Sequence, residues 1–350
     1  MLDKVSGWLL ECLEGKARGK RIYERSPQPK DDFLPRRLIE ISFNAEKYQI
    51  RLVDSKSLVG INYAALSYCW GGDQPLKTTA ALLDAWKVEI SWGKLPNTLK
   101  EAVVVCSKIQ ISYLWIDALC IVQDDLEEMA VEIAQMANIY HNSTVTVAVA
   151  RAASVDQEFL EPRTKNETTN PTFEIPFQCS RPTVLGSVTL IKISTDPEPL
   201  DTRGWTLQER LLAPRTLEFG TLQTRFFCQH NPRGFTDGWT LRPGKSESRQ
   251  DSLQEVSILQ DKFNSIQDKA IELYSLGFED AMNNWLKLVE VYTHRHLTVS
   301  TDRILAISGI AERYGSAFGG QYCAGIWQSS FPRALFWTHS DKMMPRPRVW

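Results

Sequence analysis

The chain has no CxxC pair, no apolar run of membrane-spanning length, no glycine-rich phosphate loop and no surplus of positive charge. Each absence closes off a class of function. Its seven cysteines, at positions 12, 69, 106, 120, 179, 228 and 323, lie far apart and are odd in number. That pattern suits reduced thiols in a cytoplasmic or nuclear setting and not a disulfide framework. The five histidines include His294 and His296 in the string THRH, yet no other histidine or cysteine stands at ligand spacing from them, so no metal site is expected. Asp3, Lys4, Glu11 and Glu14 interrupt the apolar residues of the N-terminus and deny it the continuous core of a signal peptide. A net charge of -2 gives no basic face for nucleic acid. Without GxxxxGK[ST], GxGxxG or GxSxG, the ATPase, classical dehydrogenase and α/β-hydrolase readings lose their best support. No internal repeat is visible.

What is present is a folded protein: 350 residues of 43% hydrophobic content are enough for a full core. Its organising stretch is 111–125, ISYLWIDALCIVQDD, where an apolar run ends in an acid, a cysteine, an amide and two further acids. A helix-period segment precedes it (Leu99, Ala102, Val103, Cys106 and Ile109 on one face). A second follows (Leu126, Met129, Ala130, Ile133, Met136, Ala137 and Tyr140). Thr98 with Glu101, and Asp125 with Glu128, stand at capping-box spacing. With strands expected over Tyr63–Tyr68, Tyr113–Ile116 and TVTVAVA, the alternation predicts an α/β fold with a parallel sheet and right-handed crossovers. The loops after those strands then converge on one sheet edge, where ligands collect in such folds.

Around this unit, Val5 to Leu13 reads as a docking helix, and LPRRLIEISF with KYQIRLVD as a hairpin about Asn44-Ala45-Glu46. FEIPFQC, VTLIKIS, RTLEFG and LQTRFFC read as further strands. Residues 230–260 read as loop, Asn283 to Tyr292 and Ser300 to Arg313 as helices, the latter burying Ile304, Leu305, Ile307, Ser308 and Ile310. YCAGIWQSSFPRALFW reads as an aromatic-rich covering helix. The expected division is a helix and connector over 1–32, a main domain over 33–228 with its α/β core at 60–150, a loop-rich insertion over 229–282, and a helical cover over 283–350.

Chemistry gathers in two places. Asp117, Gln123 and Asp124 follow the central strand, while Trp70 and Gly71-Gly72 follow the strand ending near Tyr68; the glycines fit either a tight bend or a ligand's close approach. Trp70 is either packed or offers a stacking face. In RGWTLQERLL, a helix over Thr206–Leu212 puts Trp205, Gln208, Glu209 and Leu212 on one face. A carboxylate on a face that an aromatic and a leucine bury must be ion-paired, heavily hydrogen-bonded or raised in pKa. Arg203, Arg210 and Arg215 are the nearby partners for a structural lock; a catalytic or ligand-binding Glu209 is the alternative. Cys120, within LCIV, reads as a buried thiol.

Several strings together resemble the fungal heterokaryon-incompatibility (HET) domain family: YAALSYCWGG (63–72), LPNTLKEAV (95–103), YLWIDALCIVQDD (113–125), MANIYHNSTVTVAVA (136–150), RGWTLQERLLAPRTLEF (203–219), VYTHRHLTVSTDRILAISGIA (291–311) and YCAGIW (322–327). The resemblance implies a protein of fungal self/non-self recognition and cell death. It also implies a TIR/flavodoxin-like parallel sheet flanked by helices, with added β-strands and a C-terminal helical region. Some TIR-fold proteins cleave NAD or related nucleotides. On that analogy Glu209 and Asp117 are the candidate catalytic carboxylates, and Ser67, Trp70, Gly71, Gln123, Asp124, Arg203, Trp205 and Gln208 the candidate ligand contacts. NAD or a related nucleotide would be the substrate and no cofactor is required. Partners would be other incompatibility or NLR-type proteins or further copies of the chain, in the cytoplasm. A non-enzymatic signalling module and an inactive paralogue are the alternatives. Two departures stand out: Val122 precedes Gln123 where the family often has asparagine, and relatives commonly continue beyond the position of Trp350, as expected if this is a shortened member or an early-ending gene model.

Overall fold

The computed structural model describes residues 2–14, 33–44, 46–163, 172–178, 185–191, 197–228, 231–236 and 278–332. Its strands are β1 (Arg37–Asn44), β2 (Lys47–Asp54), β3 (Tyr63–Ser67), β4 (Tyr113–Trp115), β5 (Val145–Ala148), β6 (Thr172–Gln178), β7 (Leu185–Ile191), β8 (Arg215–Phe219), β9 (Thr224–Cys228), β10 (Asn231–Thr236), β11 (Tyr322–Cys323) and β12 (Ile326–Trp327). The helices are α1 (Leu2–Glu14), α2 (Leu83–Val88), α3 (Asn97–Lys108), α4 (Asp117–Cys120), α5 (Leu126–Ala134), α6 (Met136–Asn142), α7 (Trp205–Leu212), α8 (Phe278–Thr293) and α9 (Leu305–Phe318).

An eight-stranded mixed sheet, ordered β10-β9-β8-β5-β3-β4-β1-β2, forms the centre. Its four inner strands are parallel, with β3 between β4 and β5 and with β8 beyond β5. In sequence rank these four run 2-1-3-4, an order in which connections leave β3 in opposite directions, opening a crevice beyond the carboxyl ends of β3 and β5. Since the crossover from β3 to β4 runs one way and that from β4 to β5 runs back, right-handed connections put α3 on one face and α5 with α6 on the other. The expected parallel unit is therefore present, but antiparallel pairs extend it at both sides: β1–β2 on β4, and β9–β10 on β8. The sheet is therefore mixed, with the expected parallel strands at its core and the added strands antiparallel at its sides.

Apolar residues sort into two main cores. The larger joins both sheet faces and draws in Val5, Trp8 and Leu9 of α1; Trp8 stacks on Phe235 of β10 at 6.2 Å. The second is helical: Leu207 and Leu211 of α7 pack with Trp285 and Leu288 of α8 and Ile310 and Tyr314 of α9. At Gly309 an added Cβ would lie 2.4 Å from the Ala137 Cβ, which is why the small residue there permits α9 to approach α6 and α7.

Several local expectations are corrected. The 322–337 stretch begins not as a helix but as the hairpin β11–β12, because Ala324 and Gly325 both take positive φ (51° and 99°), as a two-residue hairpin turn requires; residues 333–337 lie outside the described part. The stripe from Leu126 to Tyr140 is two helices, interrupted at Gln135 (ψ -5°), and Leu126 is exposed. Ile304 and Leu305 are also exposed, since a 3-10 turn over Ser300–Arg303 rotates them off the buried face of α9. Thr98 and Glu101 form no capping box. Thr98 donates to the Gln157 carbonyl (2.7 Å) and Glu101 accepts the Leu160 amide (2.9 Å), pinning the loop after β5. Asp125 does cap α5, accepting the Glu127 and Glu128 amides, while the Glu128 carboxylate pairs with Arg36 and the buried Arg37. Within the region read as loop, 231–236 forms β10; residues 237–277 lie outside the described part.

Candidate functional site

The site grows from the crevice at β3 and β5. Ser67, the last residue of β3, turns its hydroxyl toward α7 and donates to Oε2 of Glu209. The residue after it, Tyr68, points to the Asp117 side, its buried hydroxyl facing that carboxyl without a bond of normal geometry. Asp117 opens α4 directly after β4, and its carboxylate accepts the Trp70 indole N–H at 2.8 Å and the Ala118 amide at 2.7 Å. Arg203, just before α7, donates to the Tyr68 carbonyl and acts electrostatically on both Glu209 and Asp117. Tyr140 of α6 donates to the Leu66 carbonyl at 2.9 Å and has its hydroxyl beside Glu209.

Charge in this cluster is unbalanced. Glu209 is 7% exposed and, among the described residues, has no ion-pair partner. Burial pushes its carboxyl up to about 7, against the pull of the Ser67 hydrogen bond and Arg203 in the other direction, with Asp117 adding to the rise. Burial likewise raises Asp117, opposed by Arg203. Arg203 thus acts on two carboxyls, Glu209 buried and Asp117 half-buried, and like charges so placed resist ionising together. Burial also raises the thiol of Cys69, which lies beside Arg203. Cys120 is buried and pushed up to about 12 by that burial, so it is a core thiol.

Ser67, Trp70, Asp117, Arg203 and Glu209 therefore converge. The other candidate residues are held elsewhere or hold the frame. Gly71 has φ +76° and its Cα abuts Ser154, where a Cβ would meet backbone at 2.5 Å; the close approach is to the loop after β5. Gln123 donates to the Asp117 carbonyl (3.1 Å), bracing α4 from behind. Asp124 is exposed and accepts the Ala80 amide. Gln208 accepts the Gly309 amide at 3.1 Å, and Trp205 donates to Asp302 at 3.3 Å, both toward the C-terminal helices. Tyr68, Cys69 and Tyr140 were not legible as members; the first two carry a sequence signal, standing at the end of a strand whose neighbours converge.

Beyond the site, Arg210 and Arg215 do not meet Glu209. Arg210 pairs with Glu218 of β8 (2.6 Å) and Asp201 (3.3 Å), and Arg215 donates to the Thr144 carbonyl (3.1 Å). In THRH, His294 is exposed, while Arg295 between the histidines is buried. Among the described residues no group of histidine, cysteine, aspartate or glutamate is arranged to hold a metal ion, and no helix is long and apolar enough to cross a membrane.

Residues 63–209 match the family model described as heterokaryon incompatibility protein (HET). This stretch is a HET domain. It begins at the first residue of β3 and ends at Glu209, so it contains all five converging side chains, Ser67, Trp70, Asp117, Arg203 and Glu209. No curated protein and no solved structure matches the chain. The HET domain links the protein to heterokaryon incompatibility.

Proposed function

We propose that the protein acts in fungal self/non-self recognition and cell death by cleaving NAD or a related nucleotide at the crevice between β3, β5 and α7. The observation that carries this reading is Glu209: a buried carboxylate with no ion-pair partner among the described residues, at the carboxyl ends of parallel strands, beside a second carboxylate. A carboxylate fixed beside the reacting atoms stabilises positive charge that develops there in a reaction. Cleavage of the bond between nicotinamide and ribose develops such charge at the ribosyl carbon; nicotinamide leaves with the bonding electrons, and water supplies the hydroxyl that replaces it. Glu209, ionised, would face that carbon, and Asp117 would add to the field. Trp70, half-buried and oriented by its bond to Asp117, would offer its ring to a base. The spatial order of the parallel strands supports a flavodoxin-type kinship, and with it the TIR analogy, at the level of architecture.

A specific observation favours a second reading. Glu209, Asp117 and Arg203 all have internal hydrogen-bond partners, as members of a polar lock would in a non-enzymatic module that signals through other incompatibility or NLR-type proteins or through its own copies. The experiment that separates the two is NAD loss and nicotinamide release by the purified protein, with Glu209→Gln and Asp117→Asn and melting curves for all three. Turnover abolished in a variant that melts like wild type supports the enzyme. Absence of turnover even under crowded conditions, with early-melting variants, overturns it in favour of the lock.

A further inference from the structure

Outside the HET segment, the loop joining α8 to the 3-10 turn at Ser300–Arg303 reaches back onto the chain just ahead of Glu209. Its main chain pairs with residues 202–204: the His296 amide donates to the Thr202 carbonyl and the Gly204 amide to the His296 carbonyl, both at 2.7 Å. Gly204 makes this contact feasible, since a Cβ there would lie 2.6 Å from Leu297. Arg295, 5% exposed, sends one guanidinium nitrogen to the Arg203 carbonyl (3.1 Å) and the Thr206 hydroxyl (3.0 Å), and its other nitrogen lies 3.8 Å from Asp201. Thr206 in turn donates to the Leu200 carbonyl at 2.7 Å, so one guanidinium ties together the backbone on both sides of the first turn of α7. Arg303 donates to the Arg295 carbonyl (3.5 Å) and lies over the Tyr292 ring, joining the brace to α8.

We infer that Arg295 is a positioning residue for the HET-domain site, holding Arg203 and the first turn of α7 so that the Glu209 carboxyl stays on Ser67. The role rests on the reading of Glu209 as the working carboxyl, and it makes the C-terminal helical unit a required part of the site. Glu209 is faced by Ser67 and Cys69 from β3 and its end, Tyr140 from α6, Asp117 from α4, and Arg203 and Arg295 from the two braced segments. Arg203 and Arg295 are the cations in that set. Removing Arg295 takes away one positive charge and frees the other to move, and both changes disfavour the Glu209 carboxylate.

The test is urea unfolding between pH 5 and 9 of the wild type, Arg295→Met and Arg295→Lys, each with and without Glu209→Gln. The difference within each pair reads the proton on Glu209, with its inflection near pH 7 in the wild type. Arg295→Met is expected to move that inflection upward by about one pH unit, and Arg295→Lys, which keeps the charge but loses the planar fork, by less. An inflection that stays in place while stability falls equally at every pH would overturn the inference and leave Arg295 as a structural tie alone. If Arg295→Met does not fold, Arg295→Lys must itself move the inflection or the inference falls. NAD turnover measured on the same proteins separates the two readings. A moved inflection with no turnover in any protein sinks nucleotide cleavage and keeps the positioning role, whereas wild-type turnover with an unmoved inflection sinks the positioning role alone.

Discussion

Glu209 on α7 and Glu218 on β8 are both deeply buried, and their surroundings drive them in opposite directions. Burial alone raises a carboxyl. At Glu218, Arg210 and Arg225 together outweigh that and hold it below the usual glutamate range. At Glu209 no cation is paired among the described residues, Arg203 acts from beside it, Asp117 opposes, and the carboxyl rises to about 7. Equal burial therefore does not mean equal role. A paired carboxylate is a structural part, and an unpaired one at a crevice is poised for proton or charge chemistry. The neighbouring residues on α7 make the division sharp, since Arg210 turns to the ion network while Glu209 turns to Ser67.

The comparison breaks most visibly at Glu218. Replacing it by alanine leaves Arg210 and Arg225 without their shared counter-charge, and an equilibrium denaturation should show a loss of about 3–5 kcal/mol. A loss under about 1 kcal/mol would mean that the network is dispensable and the contrast with Glu209 empty.

The pH dependence of Glu209 comes next in size. Its folded value of about 7 lies above the ordinary 4.5, so the native state holds the proton more tightly than the unfolded chain. That contribution to stability is fully present below pH 4.5 and is lost as pH rises through about 7. Glu209→Gln removes the loss, so at pH 8 the variant should be as stable as wild type or more so, by up to about 3 kcal/mol. Glu218 runs the other way, because its depressed value confers stability above the ordinary range that is lost as pH falls through the folded value. Urea titrations of Glu209→Gln and Glu218→Gln across pH 3 to 9 would display both slopes; parallel curves would refute the assignment. Should nucleotide cleavage use the ionised Glu209, turnover should rise with pH through about 7.

A substitution that moves α7 as a body should affect both carboxylates together. Gly309→Ala places a Cβ against Ala137 and, at 2.7 Å, the Gln208 side-chain oxygen, and should cost about 1–3 kcal/mol by thermal melt. The smallest effect is expected where burial is least. Glu40 and Arg51 pair across β1 and β2 at 2.6 Å in partly exposed positions, and Arg51→Ala should cost under about 1 kcal/mol, with most of that gone in high salt.

Much of the frame was legible beforehand. Tyr63–Ser67, Tyr113–Trp115 and Val145–Ala148 are short apolar runs separated by helix-period segments, and such a pattern leaves few foldings besides a parallel sheet with covered faces. The hairpin at 322–327 was missed because its turn is Ala-Gly, and an alanine at positive φ announces itself far less than the usual Asn-Gly. Thr98 and Glu101 carried a capping signature, but their side chains found stronger use in the loop after β5.

By itself, the order of residues determined that strands near Ser67 and Asp117 end side by side, and that Glu209 stands on a helix face destined for burial, because periodicity is a local property that the chain carries with it. The partner of each charge was decided only by the tertiary structure. Arg203, Arg210 and Arg215 were equal candidates along the chain, yet folding sends Arg210 to Glu218, Arg215 to the Thr144 carbonyl, and Arg203 between Tyr68, Asp117 and Glu209. Tyr140, Arg295 and Gly309 reach the same helix from 69, 86 and 100 positions away from Glu209, counting by residue number. Local sequence holds no record of such approaches, because burial, and with it the energy of each charge, depends on what the rest of the chain places beside it.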